Sequence, residues 1–268
     1  NNANTVVYTV TGTASAPVLT RRSNTMTWAN DVKILGNYAY ITASWNLEVW
    51  NLTTLTAPVK TDFLQPDTSE PVQALDVVSG RAYATIRNTG FSIVDVSDPA
   101  NISLVRTYTT AGEARGITVA EGYAYVADGV DYGVAIYGVA SPRAPQLADT
   151  YALSGPTNLA VYRDHVLVTE TRDDWALTIV DARDPYDLRL AGATDWYTPQ
   201  DLRVVGDYAV FAAERSGVMI ADISSLGSPQ VLPPWYVSLP GGYAVGIDVL
   251  GGYSFISTSQ SVLNVVDL

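Results

Sequence analysis

Short apolar runs recur along this chain, and turn-forming residues separate them. Val32-Lys-Ile, Ile117-Thr-Val and Leu202-Arg-Val are short, rich in β-branched residues and alternate in polarity, as half-buried strands do. Gly-Asn or Gly-Asp follows the first and the last of these runs, and such dipeptides favour tight turns between strands. No long stretch carries helical periodicity. The pattern therefore predicts an all-β chain of short strands.

The strand pattern repeats with a period of about 43 residues, and three positions keep phase along the chain. The first position belongs to an Ala-Tyr pair or its equivalent, at Tyr40, Tyr83, Tyr125, Leu167, Val210 and Phe255. The second closes each apolar run, at Asn51, Asp95, Gly138, Asp181, Asp222 and Asp267. The third lies seven residues further on, at Pro58, Ile102, Pro145, Leu188 and Pro229. Each unit has room for four strands, called A to D here, which is typical of a β-propeller blade.

The runs that close the apolar segments resemble a known repeat. Phe91-Ser-Ile-Val-Asp, Leu177-Thr-Ile-Val-Asp and Val262-Leu-Asn-Val-Val-Asp are similar to the LVIVD repeat, and the resemblance extends over residues 17–268. The third unit departs most, with Ile136-Tyr-Gly in place of the Val-Asp pair. The resemblance implies propeller blades in a bacterial or archaeal cell-surface protein. It concerns framework residues, so it implies a fold and no particular activity.

The two ends of the chain predict how the ring of blades closes. The sixth unit reaches Asp267-Leu268 without a Pro and an outer strand, and Ala16-Pro17-Val18-Leu19 matches that piece. We therefore expect a single six-bladed propeller of four-stranded blades over residues 17–268, after an extension over residues 1–16. Residues 17–21 are expected to pair with residues 262–266 as the outer strand of the last blade, which removes an exposed edge. Residues 6–10 weakly resemble a C strand and have no assigned place.

Composition narrows the classes of function. The 268-residue sequence contains no Cys and only two Lys, and its net charge is −12. Disulfides and Cys-bound zinc are thereby excluded, and an acidic surface disfavours nucleic acid. No apolar run is long enough for membrane insertion. We expect a secreted or surface-exposed protein with a protein or glycan partner, and an oligomer is compatible with the sequence.

One side of the blades concentrates the aromatic residues. The D–A and B–C loops emerge there, and the A–B and C–D loops on the other side consist of turn formers such as Gly36-Asn37 and Arg183-Asp-Pro. Exposed aromatic rings beside charged groups suit recognition of proteins or sugars, whereas the alternative is that the rings only cap the blades. The predicted binding face carries Trp28, Trp45, Arg87, Arg115, Tyr132, Trp175 and Trp196.

Oxygen ligands at the start of strand A offer a second hypothesis. Asp31, Asn158 and Asp201 occupy the same repeat position, and oxygen-only donors suit Ca²⁺ or Mg²⁺. A metal-assisted hydrolase is therefore one alternative. Glu170 with Glu214 also leaves glycoside cleavage open, although the nearby arginines favour salt bridges instead.

His165, the only histidine, takes the place of a tyrosine in the other blades, so it is expected to be a framework residue. We therefore predict a non-catalytic recognition or scaffold module without a cofactor. A third interpretation is a structural subunit of a surface assembly, with the N-terminal residues reaching a neighbour.

Overall fold

The computed structural model describes residues 6–11, 18–24, 29–66, 70–129, 132–170, 177–194, 199–214, 217–233, 239, 242–250, 252–260 and 263–267. These residues form 25 strands. None of the described segments is a helix that could cross a membrane. The prediction of an all-β chain is confirmed.

The strands follow one another in blade order. An N-terminal hairpin contains β1 (Val6–Thr11) and β2 (Val18–Asn24). The first blade contains β3 (Asp31–Leu35), β4 (Tyr38–Ala43), β5 (Asn46–Asn51) and β6 (Val59–Leu64). The second contains β7 (Val72–Val78), β8 (Arg81–Ile86), β9 (Gly90–Asp95) and β10 (Ser103–Thr109). The third contains β11 (Gly116–Ala120), β12 (Tyr123–Ala127), β13 (Val134–Gly138) and β14 (Gln146–Tyr151).

The remaining blades keep this order. The fourth contains β15 (Pro156–Tyr162), β16 (His165–Glu170), β17 (Leu177–Asp181) and β18 (Arg189–Thr194). The fifth contains β19 (Asp201–Val205), β20 (Tyr208–Ala213), β21 (Gly217–Asp222) and the short β22 (Gln230–Val231). The sixth contains β23 (Ala244–Leu250), β24 (Tyr253–Thr258) and β25 (Leu263–Asp267).

Each blade is a meander in which consecutive strands pair: strands A to D lie side by side in chain order in the first five blades, and three strands do so in the described part of the sixth. The repeat positions occupy the same register in each blade. Tyr40 pairs with Val49, Tyr83 with Ile93 and Leu167 with Ile179, one position on strand B facing one position on strand C. Over the described residues, the six sheets other than the β1–β2 hairpin are the blades of a β-propeller, as predicted.

The predicted closure of the last blade is not confirmed. The described part of the sixth blade has three strands, in the order β23-β24-β25. Strand β2, which contains most of the segment expected to complete it, pairs with β1 instead, with Thr11 opposite Val18. The pairing of residues 17–21 with residues 262–266 stays a prediction, and Pro17 itself lies outside the described residues.

The chain divides into two compact units, residues 1–119 with 141–145 and residues 120–140 with 146–268. In the first unit, Tyr40, Leu47 and Val49 of the first blade pack against Leu75 and Ala84 of the second, and all five are buried. This packing removes apolar surface from water at the junction between the two blades.

The second unit uses the same repeat positions. Leu167 and Ile179 of the fourth blade pack against Leu202 and Phe211 of the fifth. The strand B positions that mark the repeat, such as Tyr40 and Leu167, thus lie where one blade packs against the next. The repeat in the sequence therefore reflects a packing interface between neighbouring blades that recurs along the chain.

The carboxylates that end the C strands stabilise the turns that follow. Oδ1 of Asp95, Asp181 and Asp222 accepts the backbone N–H two residues later, at 3.0, 3.1 and 2.8 Å. Hydrogen bonds from Ser97 lower the pKa of Asp95, and those from Ser224 lower the pKa of Asp222. The Arg183 side chain lowers the pKa of Asp181 to about 2. These aspartates therefore stabilise the turns that follow strand C; for Asp267, the following residue lies outside the described part of the chain.

Candidate functional site

Trp45 lies at the tip of the B–C turn of the first blade, and its side chain is 42% exposed. Ser44 precedes it with a positive φ of 55°, and the Ser44 carbonyl accepts the backbone N–H of Val72 at 2.8 Å. The turn is therefore anchored to the segment that enters the second blade. An aromatic ring that is exposed on an anchored turn can bury apolar surface against a partner with little loss of conformational entropy.

An ion-pair group follows on the next blade. Glu113 accepts a hydrogen bond from Arg87 Nε, and Arg115 Nη2 donates to its other oxygen at 2.9 Å. The hydrogen bond from Arg87 is the main cause of the lowered pKa of Glu113, and Arg115 acts in the same direction. Two guanidinium groups share one carboxylate, so the group keeps a net positive charge in a chain that is acidic overall.

A side-chain bridge lies beside this group. Asn88 Nδ2 donates to Glu70 Oε1 at 2.9 Å and so connects the B–C turn of the second blade to the segment that enters that blade. We call Trp45, Glu70, Arg87, Asn88, Glu113 and Arg115 the loop row. All six residues belong to the first compact unit and to the D–A or B–C loops.

The described parts of the second unit at its B–C and D–A loops include three of the residues considered as site candidates, Tyr132, Glu170 and Glu214. Tyr132 is 44% exposed. Glu170 is buried and accepts a hydrogen bond from Thr178 Oγ1, and Glu214 accepts one from Gln200 Nε2 at 2.8 Å. These two acids therefore have polar partners within their own region of the chain. Trp28, Trp175 and Trp196 lie outside the described residues.

The oxygen ligands proposed for a metal make hydrogen bonds between blades. Asp31 Oδ2 accepts the backbone N–H of Leu75 at 2.8 Å, and Asp201 Oδ2 accepts that of Ile247 at 3.0 Å. Asn158 Nδ2 donates to Asp201 Oδ1, which also receives Arg203 Nη1 at 2.8 Å. Each residue thus connects its blade to the next one in the chain.

The same arrangement recurs elsewhere. Asp76 accepts the N–H of Val119 at 2.8 Å, Asp62 that of Ile102 at 2.8 Å, and Asp149 that of Leu188 at 2.9 Å. We call such a carboxylate, bonded to a backbone N–H of the following blade, a carboxylate clasp. Each clasp gives a hydrogen-bond acceptor to a backbone N–H that the packing of two blades would otherwise leave without a partner. The clasps are formed by Asp31, Asp62, Asp76, Asp149 and Asp201. Among the described residues, no group of three His, Cys, Asp or Glu side chains is arranged to hold a metal ion.

Sequence reasoning missed a set of buried threonines on strand B. Thr42 Oγ1 accepts the N–H of Asp31 at 2.9 Å and donates to the Gln73 carbonyl of the next blade at 2.7 Å. Thr85 Oγ1 likewise contacts the Ala74 N–H and the Arg115 carbonyl. Both residues lie two positions after a repeat tyrosine, as Thr169 does after Leu167. An alignment of the repeats contains this signal, because a threonine recurs at this position in three of the six repeats.

His165 is buried on the opposite side of its blade, in the A–B turn region. Its Nδ1 lies 2.6 Å from the Arg163 carbonyl, so Nδ1–H donates there, and Nε2 lies 3.9 Å from Asp181. In the strand register His165 lies opposite Asp181, as Tyr38 lies opposite Asn51 and Tyr208 opposite Asp222. It therefore occupies the tyrosine position that the sequence indicates.

Replacement of His165 by phenylalanine should change the free energy of unfolding by about 1 kcal/mol, the value of one hydrogen bond, and should leave any binding function intact. Urea denaturation and a binding titration on the same preparation measure both quantities. A loss of affinity in a variant that unfolds at the wild-type urea concentration would contradict the framework role.

Comparison with known proteins identifies the repeat. The family model of the LVIVD repeat matches residues 28–47, 72–110, 111–151, 198–232 and 241–268, which is more than half of the chain. No curated protein sequence matches.

Solved structures share the fold at low sequence identity. A functionally unknown protein from Desulfotomaculum acetoxidans DSM 771 aligns with a TM-score of 0.74 and 15% identity, over 91% of this chain and 83% of its own. A chain of the Mitotic Checkpoint Complex aligns with a TM-score of 0.76 and 12% identity, over 99% and 82%. The β-propeller domain of Myceliophteria thermophila Cps50 (Swd1) aligns with a TM-score of 0.72 and 12% identity, over 93% and 85%. Likeness at this level of identity shows the fold alone. With the blades and their junctions described, the chain belongs to the LVIVD repeat family of β-propeller proteins.

Proposed function

We propose that this protein is a non-catalytic recognition module that binds a partner protein through the loop row. The observation that carries the proposal is the exposed Trp45 on an anchored turn, on the same blade ends as a charged group whose members already hold one another in place. Aromatic residues and arginine are the residue types enriched where binding energy concentrates in protein interfaces.

The Arg87–Glu113–Arg115 group of the loop row, with two guanidinium groups to one carboxylate, suits a partner with acidic groups. Arg87 and Arg115 donate to Glu113 and are half-exposed, so their remaining guanidinium N–H groups face solvent or a ligand. Arginine recognises carboxylates through paired hydrogen bonds. The solved structures that this chain resembles include chains of the Mitotic Checkpoint Complex and of a structure with Dbp5 bound to Nup159, and their occurrence in assemblies supports interaction as a use of this fold.

A cell-surface location is part of the proposal. It is supported by the implied setting of LVIVD proteins, together with the absence of Cys and the low Lys content of the sequence. The surface location is tested directly by treating intact source cells with a protease and then detecting the chain with an antibody. A chain that resists the protease until the cells are lysed would contradict a surface location.

Trp45→Ala should weaken binding to the partner by about 30-fold, because a buried aromatic anchor typically contributes about 2 kcal/mol. The partner is first recovered on the immobilised chain from an extract of the source cells, identified by mass spectrometry and purified. Calorimetric titration then compares the wild type with the variant. The melting temperature should change little, because Trp45 is exposed.

Tyr186→Ala is the matched control. Tyr186 is also an exposed aromatic residue on a turn, but its C–D loop lies on the opposite side of the blade. Tyr186→Ala should leave the affinity for the partner unchanged. If Tyr186→Ala weakens binding and Trp45→Ala does not, the turn-rich side is the binding surface and the proposal is wrong. A glycan array probed in parallel with the same two variants shows whether the partner is a sugar instead.

A further inference from the structure

Glu113 is held by two arginines that come from two different segments of the first unit. Arg87 begins the B–C turn of the second blade and donates to Glu113 Oε1 through Nε. Arg115 lies at the entry to the third blade and donates to Oε2 through Nη2 at 2.9 Å. By contrast, Arg189 pairs with one acid, Asp187. The group of three residues therefore has one positive charge in excess, whereas the pair is neutral.

The backbone around this group is fixed at both ends of the D–A segment. Thr110 N–H donates to the Thr89 carbonyl at 3.2 Å, which ties the start of the segment to the B–C turn. Thr85 Oγ1 donates to the Arg115 carbonyl at 3.3 Å, which ties its end to strand B of the second blade. Ala114, next to Arg115, is fully buried. The two guanidinium groups are thus held close together, so a ligand that binds both loses little conformational entropy of the protein.

Each guanidinium group has donors left for a ligand. Arginine carries five N–H donors, and Arg87 and Arg115 each donate to Glu113 through one nitrogen. Their side chains are 51 and 35% exposed. Paired N–H groups of arginine match the oxygens of carboxylates and phosphates, and a sulfate ester has the same tetrahedral oxygens as a phosphate ester. The geometry therefore suits an oxyanion.

The charges around the two arginines decide which oxyanion fits. The hydrogen bond from Arg87 lowers the pKa of Glu113, and Arg115 acts in the same direction, so Glu113 is ionised at neutral pH. A ligand with one negative charge neutralises the excess charge of the group, whereas a doubly charged ligand leaves one negative charge uncompensated. Glu70 is bonded to Asn88 and not to either arginine, so its carboxylate adds to the repulsion of a second charge.

We propose that Arg87, Glu113 and Arg115 form an oxyanion site that accepts a singly charged group, a carboxylate or a sulfate ester, and disfavours a doubly charged phosphate ester. Glu113 is the residue that sets this preference. The inference rests on the proposed function, because it names the chemical group through which the partner protein contacts the loop row.

Three small anions test the site on the full chain. Acetate and methyl sulfate carry one negative charge, and methyl phosphate, which has the shape of methyl sulfate, carries two at about pH 8 because its second pKa is about 6. Each anion is titrated at constant ionic strength into the isotope-labelled chain, and the Nε–H signals of Arg87 and Arg115 are followed by NMR. Both signals should show a saturable shift with acetate or methyl sulfate, and methyl phosphate should bind at least about fivefold more weakly. The tighter of the two singly charged anions shows whether the partner presents a carboxylate or a sulfate.

Two variants and an internal control make the result specific. Glu113→Gln keeps the shape of the side chain and removes its charge, so methyl phosphate should bind about tenfold more tightly than to the wild type and should become preferred over methyl sulfate. Arg115→Gln should abolish the saturable response to all three anions. The Nε–H signal of Arg189, whose charge is balanced by Asp187, should show no saturable shift. An unchanged melting temperature of each variant shows that the fold is retained.

A wild-type preference for methyl phosphate, or a preference that Glu113→Gln leaves unchanged, would overturn the proposal. So would the lack of a saturable shift at Arg87 and Arg115, since their ion pairs would then only link two loops. The variants of Trp45 and Glu113 separate this inference from the proposed function. If Trp45→Ala leaves partner binding intact while the anions bind as expected, the proposed function is wrong although the anion site exists. If Trp45→Ala weakens partner binding and the arginines do not respond to anions, only the present inference is wrong.

Discussion

Replacement of Asp201 by alanine is expected to lower the free energy of unfolding by about 3 kcal/mol and the melting temperature by about 8 °C. The Asp201 side chain is largely buried and accepts hydrogen bonds from the Ile247 N–H, from Asn158 and from Arg203. Its loss leaves these donors without their acceptor at the junctions with two neighbouring blades. Such a loss is costly because a buried donor without a partner has also given up its water.

Asp248→Ala is the matched control for Asp201. Asp248 forms an ion pair with the same Arg203 at 3.4 Å, but its side chain is 77% exposed, against 13% for Asp201. Exposed ion pairs contribute little, so this variant should change stability by less than about 0.5 kcal/mol. Equal effects of the two variants would show that the ion pair with Arg203 is the important contact and would contradict the clasp.

The same melting experiment tests the metal hypothesis for Asp31, Asn158 and Asp201. A Ca²⁺ or Mg²⁺ ion bound at this level would raise the melting temperature of the wild type above its value in EDTA. Asp201→Ala would remove that difference. Identical melting curves with either cation and with EDTA would show that these side chains act only between blades.

Replacement of Gly90 by alanine should destabilise the protein by at least about 3 kcal/mol. Gly90 opens strand C of the second blade with a φ of +135°, which side chains rarely permit. A Cβ at this position would lie 2.2 Å from the Tyr108 carbonyl oxygen and 2.6 Å from the Thr110 nitrogen. Both are backbone atoms of the neighbouring segment, so the clash cannot be relieved by a change of rotamer.

Gly36→Ala separates the two contributions to this cost. Gly36 also has a positive φ, of +59°, but a Cβ there would have no atom within 4 Å. Its replacement should cost about 1 kcal/mol, from the backbone conformation alone. Chemical denaturation of both variants gives the comparison. A Gly90→Ala protein as stable as Gly36→Ala would mean that the second blade adapts its outer strand without strain.

The fold could be predicted from the sequence because the repeat positions are interface positions. Tyr40, Tyr125 and Leu167 recur in phase, and each is buried on strand B at a junction between blades. A pattern of this kind records burial directly, so the type of the strands and their order within the blades could be predicted from it. The stabilisation of turns by Asp95 and Asp181 could also be predicted from the sequence, since each carboxylate and its N–H partner lie two residues apart.

The hydrogen bonds between blades were harder to predict from the sequence. Asp31 and Asp201 share a repeat position with Asn158, which in sequence resembles a set of converging metal ligands. Their contacts depend on which way each side chain turns at the start of strand A, and the partner N–H groups lie more than 40 residues away. The closing strand could not be settled for a related reason: Val18 to Arg21 fit the outer strand of a blade, but a strand has two edges. Sequence similarity does not say which edge is used or by which neighbour.

The direction of the carboxylate clasps bears on how the chain folds during synthesis. In all five clasps the acceptor belongs to the earlier blade and the donor to the later one, for example Asp62 and Ile102. When a blade emerges from the ribosome, the group that holds its backbone is therefore already in place on the blade before it. Each junction can form without waiting for the rest of the chain, so folding can proceed from the N-terminus at the pace of translation. A truncated chain that ends after the second blade should then already carry its Asp31 and Asp62 contacts.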